Sequence, residues 1–415
     1  MKIDLIPGGV TAAKGFKAAC CAAGIKYKDR TDMAMLLSER PCAVAGTFTT
    51  NVVKAAPVLW DRRIVKEVKA AQAVVVNAGI ANAATGQTGM EMCAKTADFA
   101  GKALGIPADY VLLGSTGVIG PNLPIDRITA GVAAMAGTLS DTPEAGTAAS
   151  RAIMTTDTVN KECAVCFELP AADGAGTVKV TLGGMSKGSG MIHPNMCTML
   201  GYVTTDCAVD PAVLQQALGE VVPDTFNMIS VDGDTSTNDT LLVLANGLAG
   251  NAPVAAGSEG YALLREALFT VCRDLAIKMA GDGEGATRLV EMRVTGADTR
   301  ENARRLARSV VSSSLVKAMI FGKDANCGRV LCALGYAGAE FDPAAVELWL
   351  LGEREDLCFY KDGCVQTFDE DLALAILSEK QIRFCCDMHM GGEEATAWGC
   401  DLTYDYVKIN GDYRT

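Results

Sequence analysis

Lys187-Gly188-Ser189-Gly190-Met191-Ile192-His193-Pro194-Asn195-Met196-Cys197-Thr198-Met199-Leu200 lies near mid-chain and changes character within its own length. It opens as a glycine-rich loop, passes through an X-Pro turn and ends in an apolar run carrying one hydroxyl residue, Thr198. Gly188 and Gly190 permit positive φ, and Pro194 steers His193 away from helical backbone. Such a passage is ordinarily a surface loop feeding a buried helix or strand. Upstream, Gly176-Thr-Val-Lys-Val-Thr-Leu-Gly-Gly184 alternates with period two and is predicted to be the strand that delivers Lys187 to the loop.

Further out, the pattern alternates strand and helix. Ala73-Val-Val-Val76 and Leu241-Leu-Val-Leu-Ala245 are compact enough for buried strands, and Val111-Leu-Leu-Gly-Ser-Thr-Gly-Val-Ile-Gly120 is an apolar strand ending in small residues. A helix to about Leu104 is predicted from the capping box Thr88-x-x-Glu91, and another after Asp298-x-x-Glu301. Tyr261, Leu264, Leu268, Val271, Leu275 and Met279 recur at three-to-four spacing, which predicts an amphipathic helix. The carboxyl-terminal Tyr406-Val-Lys-Ile-Asn410-Gly-Asp-Tyr-Arg-Thr415 reads locally as a strand with a fraying end. Periodicity therefore supports an α/β protein of mixed strands and helices, with no internal repeat and no low-complexity linker.

Composition narrows the function. The chain has 415 residues, enough for two or three ordinary domains, with 49% apolar and 21% charged residues. A net charge of −12 disfavours nucleic acid and anionic membrane as partners. No run of roughly eighteen apolar residues occurs, and the first residues carry no apolar stretch of signal-peptide length, so a cytoplasmic location is expected. The sixteen cysteines are scattered and include the pairs Cys20-Cys21 and Cys385-Cys386, which fits reduced thiols. Cys163-Ala-Val-Cys166 is a lone CxxC in a predicted strand, better read as buried thiols than as a metal or redox centre. With only His193 and His389, a histidine-rich zinc site cannot be built, and a nucleophilic enzyme would need its base elsewhere.

Several polar runs invite a second reading. Ser230-Val-Asp-Gly-Asp-Thr-Ser-Thr-Asn-Asp-Thr240 mimics a calcium loop but lacks the glycine and glutamate spacing of an EF-hand. Gly281-Asp-Gly-Glu284-Gly-Ala-Thr-Arg288 is glycine-rich, yet no Gly-Lys-Ser/Thr follows and a strand comes next, so it is not a P-loop. A turn such as Gly114–Gly117 can converge its N–H groups on an anion, or can simply end a strand. Ala152-Ile-Met-Thr-Thr-Asp-Thr158 can be plain turn chemistry.

Taken together, K-G-S-G-M-I-H-P-N-M-C-T-M-L, N-A-G-I-A-N-A-A-T-G, the Thr116 and Glu284 segments and the carboxyl terminus closely resemble the ornithine acetyltransferase family of arginine biosynthesis. The resemblance extends from Pro7-Gly-Gly-Val-Thr11 to the terminus. It implies a layered α/β sandwich of two lobes with the site between them. It implies self-cleavage at Cys197–Thr198 into fragments 1–197 and 198–415, with lobe boundaries that need not coincide with the cut. Thr198 would be the nucleophile, and Thr116 and Gly117 the oxyanion hole. Substrate contacts would be Thr155 (with Thr156 second), Lys187, Thr198, Glu284, Asn410 and Thr415. The family usually has Ala at Cys197, which here adds a second nucleophile beside the bond. It usually has Pro and Trp at Ala325 and Cys327, a departure read as altered packing near the site.

The chemistry suits these residues. A threonine hydroxyl is a poor nucleophile without a base; cutting before Thr198 would create an α-amino group, of reference pKa about 8, beside that hydroxyl. The implied reaction moves acetyl from N-acetylornithine to Thr198 and then to glutamate, with acetyl-CoA as a possible co-substrate, no cofactor and no metal. The two fragments would stay together, as an α2β2 assembly. Two other classes keep parts of this reading. An amino-terminal-nucleophile aminopeptidase or amidase would use water as acceptor, and a small-molecule binding protein would use the glycine-rich loops as cradles.

Overall fold

The computed structural model describes residues 2–26, 28–193 and 199–412. The chain forms two compact units, one made of Met1–Gly188, Asn195–Pro223 and Thr235–Leu275, the other of Ser189–Pro194, Asp224–Asp234 and Ala276–Thr415.

The first unit is built on a nine-stranded sheet. From one edge its strands run Asp4–Ile6, Lys161–Pro170, Thr177–Lys187, Leu200–Thr205, Thr240–Ala245, Met33–Phe48, Ala70–Ile80 and Val111–Val118, with Phe16–Cys21 paired to the start of Met33–Phe48. Most pairs are antiparallel; Leu200–Thr205 with Thr240–Ala245 and Ala70–Ile80 with Val111–Val118 are parallel. Every residue of Leu200–Thr205 and Thr240–Ala245 is buried, as expected of strands covered on both faces. Period-two alternation sorts Ala70–Ile80 between two cores. Ala73 and Val75 pack with Met33, Met92 and Ile128 beneath the helices Gly86–Leu104 and Ile125–Ala136. Val74 and Val76 pack with Phe16, Leu112 and Tyr202 on the side of helix Pro143–Ala152. The long strand Met33–Phe48 slips register between Leu37 and Cys42, where Pro41 has no N–H to give the ladder.

The second unit holds a seven-stranded sheet, in the order Cys364–Val365, Leu357–Lys361, Glu347–Leu351, Gln381–Asp387, Leu289–Ala297, Glu393–Cys400 and Ile229–Ser230. Helix Arg300–Ser312 packs on Leu289–Ala297 and Glu393–Cys400 through Ala303, Leu306, Ala307, Val310 and Val311.

The α/β class and the predicted strands appear in the fold, and the amphipathic helix is Glu259–Gly281. Three local expectations change. The helix expected from Thr88 begins at Gly86, and Thr85 occupies its cap position without a capping bond, its hydroxyl donating instead to Asn82 Oδ1. The later cap is Thr299, whose hydroxyl accepts from Asn302 N at 3.3 Å, while Asp298 holds Thr299 N and the Asn302 amide. The carboxyl-terminal segment is a helix, Tyr404–Gly411, not a strand. Cys163 and Cys166 are buried on strand Lys161–Pro170; three residues apart on a strand, they point to opposite faces and cannot share a metal. Among the described residues no helix is long and apolar enough to cross a membrane.

Candidate active site

In the first unit, strand Val111–Val118 lies parallel to Ala70–Ile80, so that Thr116 faces Ala78 and Gly117 faces Gly79 before the register breaks at Ile80. Two buried asparagines fix these strand ends. Asn77 accepts from Ser115 Oγ at 2.7 Å and donates to the Ile80 carbonyl at 2.8 Å. Asn238 donates to the Ala81 and Ser115 carbonyls at 2.6 and 2.7 Å, and its own oxygen takes the Thr237 hydroxyl at 2.6 Å. Gly117 has φ +126°, and a Cβ there would fall into the Gly79 backbone. The turn thus needs glycine twice over, for its angle and for the close approach.

Strand Thr177–Lys187 brings a second group to the same place. Lys187, 7% exposed, donates from Nζ to Thr155 Oγ1 at 2.8 Å and to Thr116 Oγ1 at 3.3 Å. Thr155, the first of the two candidate threonines, thus meets the lysine directly. Each hydroxyl oxygen accepts from the ammonium, which turns its own O–H away as a donor. Behind them lies Asp157. Its Oδ1 accepts from Lys161 Nζ and from Gly188 N, both at 2.7 Å; its Oδ2 accepts from Thr155 N at 3.2 Å and stands 3.8 Å from Lys187 Nζ. Burial alone would raise this carboxyl, but the Lys187 and Lys161 ammoniums and the N–H donors hold it down at about 2.

In the second unit, the turn after helix Glu259–Gly281 presents Glu284, 7% exposed. Glu284 N donates to Ser189 O at 2.8 Å, and Oε2 accepts from Asn410 Nδ2 at 2.7 Å. Gly190 does not need positive φ. It is glycine because a Cβ there would meet the Glu284 carboxylate. The far side of the turn is fastened by Asp401, which accepts from Thr287 N at 2.8 Å and Arg288 N at 3.0 Å, and by Thr403 Oγ1 donating to Gly285 O at 2.7 Å. With Asn410 donating to one oxygen and the Glu284 N–H bonded to Ser189 O, the carboxylate is held in one orientation.

The structure therefore gathers Thr116, Gly117, Thr155 and Lys187 in one cluster and Glu284 with Asn410 in another. Cys197, Thr198 and Thr415 lie outside the described residues. Cys327, one of the two departures from the family pattern, is buried at the start of helix Cys327–Gly335, and Ala325 precedes it. Sequence reasoning missed Asp157, Asn77 and Asn238. Asp157 and Asn238 stand inside runs that read as turn or loop chemistry and Asn77 follows an apolar strand run, and only a buried position reveals that a carboxylate or amide is organising the neighbours.

Comparison with known proteins completes the assignment. The ArgJ family model matches residues 17–415. The arginine biosynthesis bifunctional protein ArgJ of Symbiobacterium thermophilum is 54% identical over 415 residues, 100% of both chains. The protein of the same name from Bacillus subtilis is 41% identical over 414 residues, 100% of this chain and 98% of its own. The solved ornithine acetyltransferase of Mycobacterium tuberculosis, complexed with ornithine, is 40% identical, the match covering 48% of this chain and 100% of that one at a TM-score of 0.42. A family match that runs from Lys17 to the last residue, beside full-length identity above one half, settles the kinship: this chain belongs to the ArgJ family.

Proposed function

We propose that this chain is a glutamate N-acetyltransferase of arginine biosynthesis, moving acetyl from N2-acetyl-L-ornithine to L-glutamate through an acetyl ester on Thr198. Maturation comes first. The Thr198 hydroxyl attacks the Cys197 carbonyl, the amide becomes an ester, and water hydrolyses it. Fragment 1–197 gains a carboxylate and fragment 198–415 begins with the free amine of Thr198. That amine, of reference pKa about 8, takes the hydroxyl proton when Thr198 attacks the acetyl carbonyl of the donor.

Ornithine leaves with its amine protonated, and glutamate's amine then attacks the ester to give N-acetyl-L-glutamate. The Thr116 hydroxyl and Gly117 N–H carry the developing oxyanion, a contribution typically of about 2.7–4 kcal/mol per donor. Lys187 serves a substrate carboxylate or the developing charge, Glu284 and Asn410 the substrate ammonium, and Thr155 and Thr415 complete the contacts. Acetyl-CoA is a second donor for the same acetyl-Thr198, and no cofactor or metal takes part. The two fragments remain associated as α2β2 in the cytoplasm.

The observation that carries this reading is the Lys187 ammonium bonded at once to the hydroxyls of Thr116 and Thr155. It leaves both hydroxyls oriented as donors, that of Thr116 on a turn that only glycine can complete. Denaturing mass spectrometry with amino-terminal sequencing tests it. Two fragments are expected, the second starting at Thr198, and ornithine release should depend on glutamate. An intact chain in a sample competent to mature sinks the nucleophile, and release without glutamate makes water the acceptor.

A further inference from the structure

Within the second unit, one carboxylate governs the turn that leads toward the proposed cleavage bond. Asp232 follows the short strand Ile229–Ser230. Its Oδ2 accepts from Met191 N at 2.6 Å and its Oδ1 from Ile192 N at 2.9 Å. The same carboxylate takes Asp234 N at 3.2 Å and the Tyr406 hydroxyl, from the carboxyl-terminal helix, at 3.3 Å. Val231 N returns a bond to Ile192 O at 2.7 Å, so the two segments dock through main chain as well.

The turn so held is strained. Met191 has φ +54°, a left-handed backbone that costs a residue with a Cβ and would be free of cost for glycine. Two consecutive N–H groups beside a left-handed residue form a concavity for an anion, and here the anion is built into the chain as Asp232. One residue on, the His193 ring has Nδ1 at 3.1 Å from Ser230 Oγ and 3.3 Å from Ser312 Oγ, and Nε2 at 3.1 Å from Arg308 Nη2. Burial, then the Arg308 charge, pushes its pKa down to about 4, so the ring is neutral near pH 7. Arg308 donates to Nε2, which assigns the proton to Nδ1 and directs it to a serine oxygen. Backbone and side chain are thus fixed through His193, the last described residue before Cys197–Thr198.

We infer that Asp232 is a positioning residue for self-cleavage: by holding Met191 in its left-handed turn it fixes the approach through His193, from which the chain continues to the Cys197–Thr198 bond. The inference rests on the self-cleavage reading above. Intramolecular attack depends on how narrowly the reacting groups are confined, and slack in the anchored approach multiplies unproductive conformers. Asp232 itself touches none of the reacting atoms.

The test follows the conversion of freshly synthesised full-length precursor by intact mass. Asp232→Asn keeps the shape but turns an acceptor-only group into one with an amide donor facing two N–H groups. It should slow processing about tenfold or more, the loss of one charge-assisted hydrogen bond. Adding Met191→Gly should recover most of that rate, because glycine takes the left-handed angle unaided. A general structural role would not predict this rescue. Met191→Val with Asp232 intact should also slow processing, since a β-branched side chain resists this backbone at a position 43% exposed.

Wild-type rates in Asp232→Asn, failure of the glycine rescue, or a wild-type rate in Met191→Val would overturn the inference. If Asp232→Asn does not fold, the Met191→Val arm decides alone. A wild-type chain that never cleaves removes the self-cleavage reading itself, an outcome distinct from a cleaving wild type with an equally fast variant.

Discussion

Lys161 Nζ lies 2.7 Å from Asp157 Oδ1 with the two side chains 1% and 0% exposed, and the same carboxylate stands 3.8 Å from Lys187 Nζ. One buried anion therefore answers two buried cations. Removing it leaves both ammoniums without that compensation in a poorly solvated place. Asp157→Ala is expected to destabilise the protein by about 3–5 kcal/mol, the range for breaking a buried ion pair from one side. Denaturant unfolding measures it, and a loss of only a few tenths would mean that water reaches the lysines.

The same carboxylate predicts a pH window. Folded, it sits at about 2, below its ordinary value of 3.8, because the Lys187 and Lys161 charges and N–H donors outweigh its burial. A group whose folded pKa is depressed contributes fully above its unfolded pKa and loses that contribution as pH falls through the folded one. The melting-temperature gap between wild type and Asp157→Asn should stay level from about pH 7 to pH 5 and narrow between about pH 4 and pH 2. A gap already closing at pH 6 would place the effect in another group.

How much of this was legible in the sequence depends on the length scale of the cause. Strands such as Thr240–Ala245 carry their own apolar pattern, and helix Glu259–Gly281 declares itself in its three-to-four spacing. Tyr404–Gly411 does not. Its aromatic and β-branched residues suit a strand, but Asn410 meets both Glu284 and the Tyr406 carbonyl, one turn back, only when the backbone coils. Thr116, Thr155 and Lys187 were found through kinship, since residues seventy-one and thirty-two positions apart converge only in the folded sheet. Asp157 and Asp232 were passed over for one shared reason. An aspartate among threonines and glycines signals a solvated turn, and nothing local says that its carboxylate gathers backbone N–H groups.

Gly190 and Glu284 make a paired prediction. A methyl group at Gly190 would land on the Glu284 carboxylate. Gly190→Ala should therefore imitate Glu284→Gln by weakening the proposed hold on the substrate ammonium. Both are expected to raise KM for glutamate by roughly tenfold or more, the worth of one charge-assisted hydrogen bond. If Gly190→Ala left KM unchanged while Glu284→Gln raised it, the turn would be yielding rather than the carboxylate.

Lys187→Met removes the ammonium that orients Thr116 and Thr155 while keeping an unbranched side chain in a site 7% exposed. Acetyl transfer should fall by about 10²–10³ in kcat, as for loss of an oxyanion-stabilising donor. Lys187→Arg should not restore it, because a planar fork cannot replace a compact charge bonded to two hydroxyls and backed by Asp157. A drop confined to KM would assign Lys187 to ground-state binding of a carboxylate.

Cys197 offers a thiol immediately before the proposed nucleophile, and the two nucleophiles predict different products. Attack by Thr198 on the carbonyl of Cys197 leaves cysteine at the end of the first fragment. Attack by the Cys197 thiol on the preceding carbonyl would leave cysteine at the start of the second. Thiolates are the stronger nucleophiles, but an ordinary thiol is mostly protonated near pH 7, and only a hydroxyl at the new amino terminus has that amine as its base in the mature enzyme. Cys197→Ala should therefore process at the wild-type rate and keep full acetyl transfer. Thr198→Ala should remain a single chain without transfer, and Thr198→Ser should process and turn over. Amino-terminal sequencing of the second fragment reads the answer directly. A fragment beginning at Cys197, or an intact Cys197→Ala chain, would move the nucleophile back by one residue.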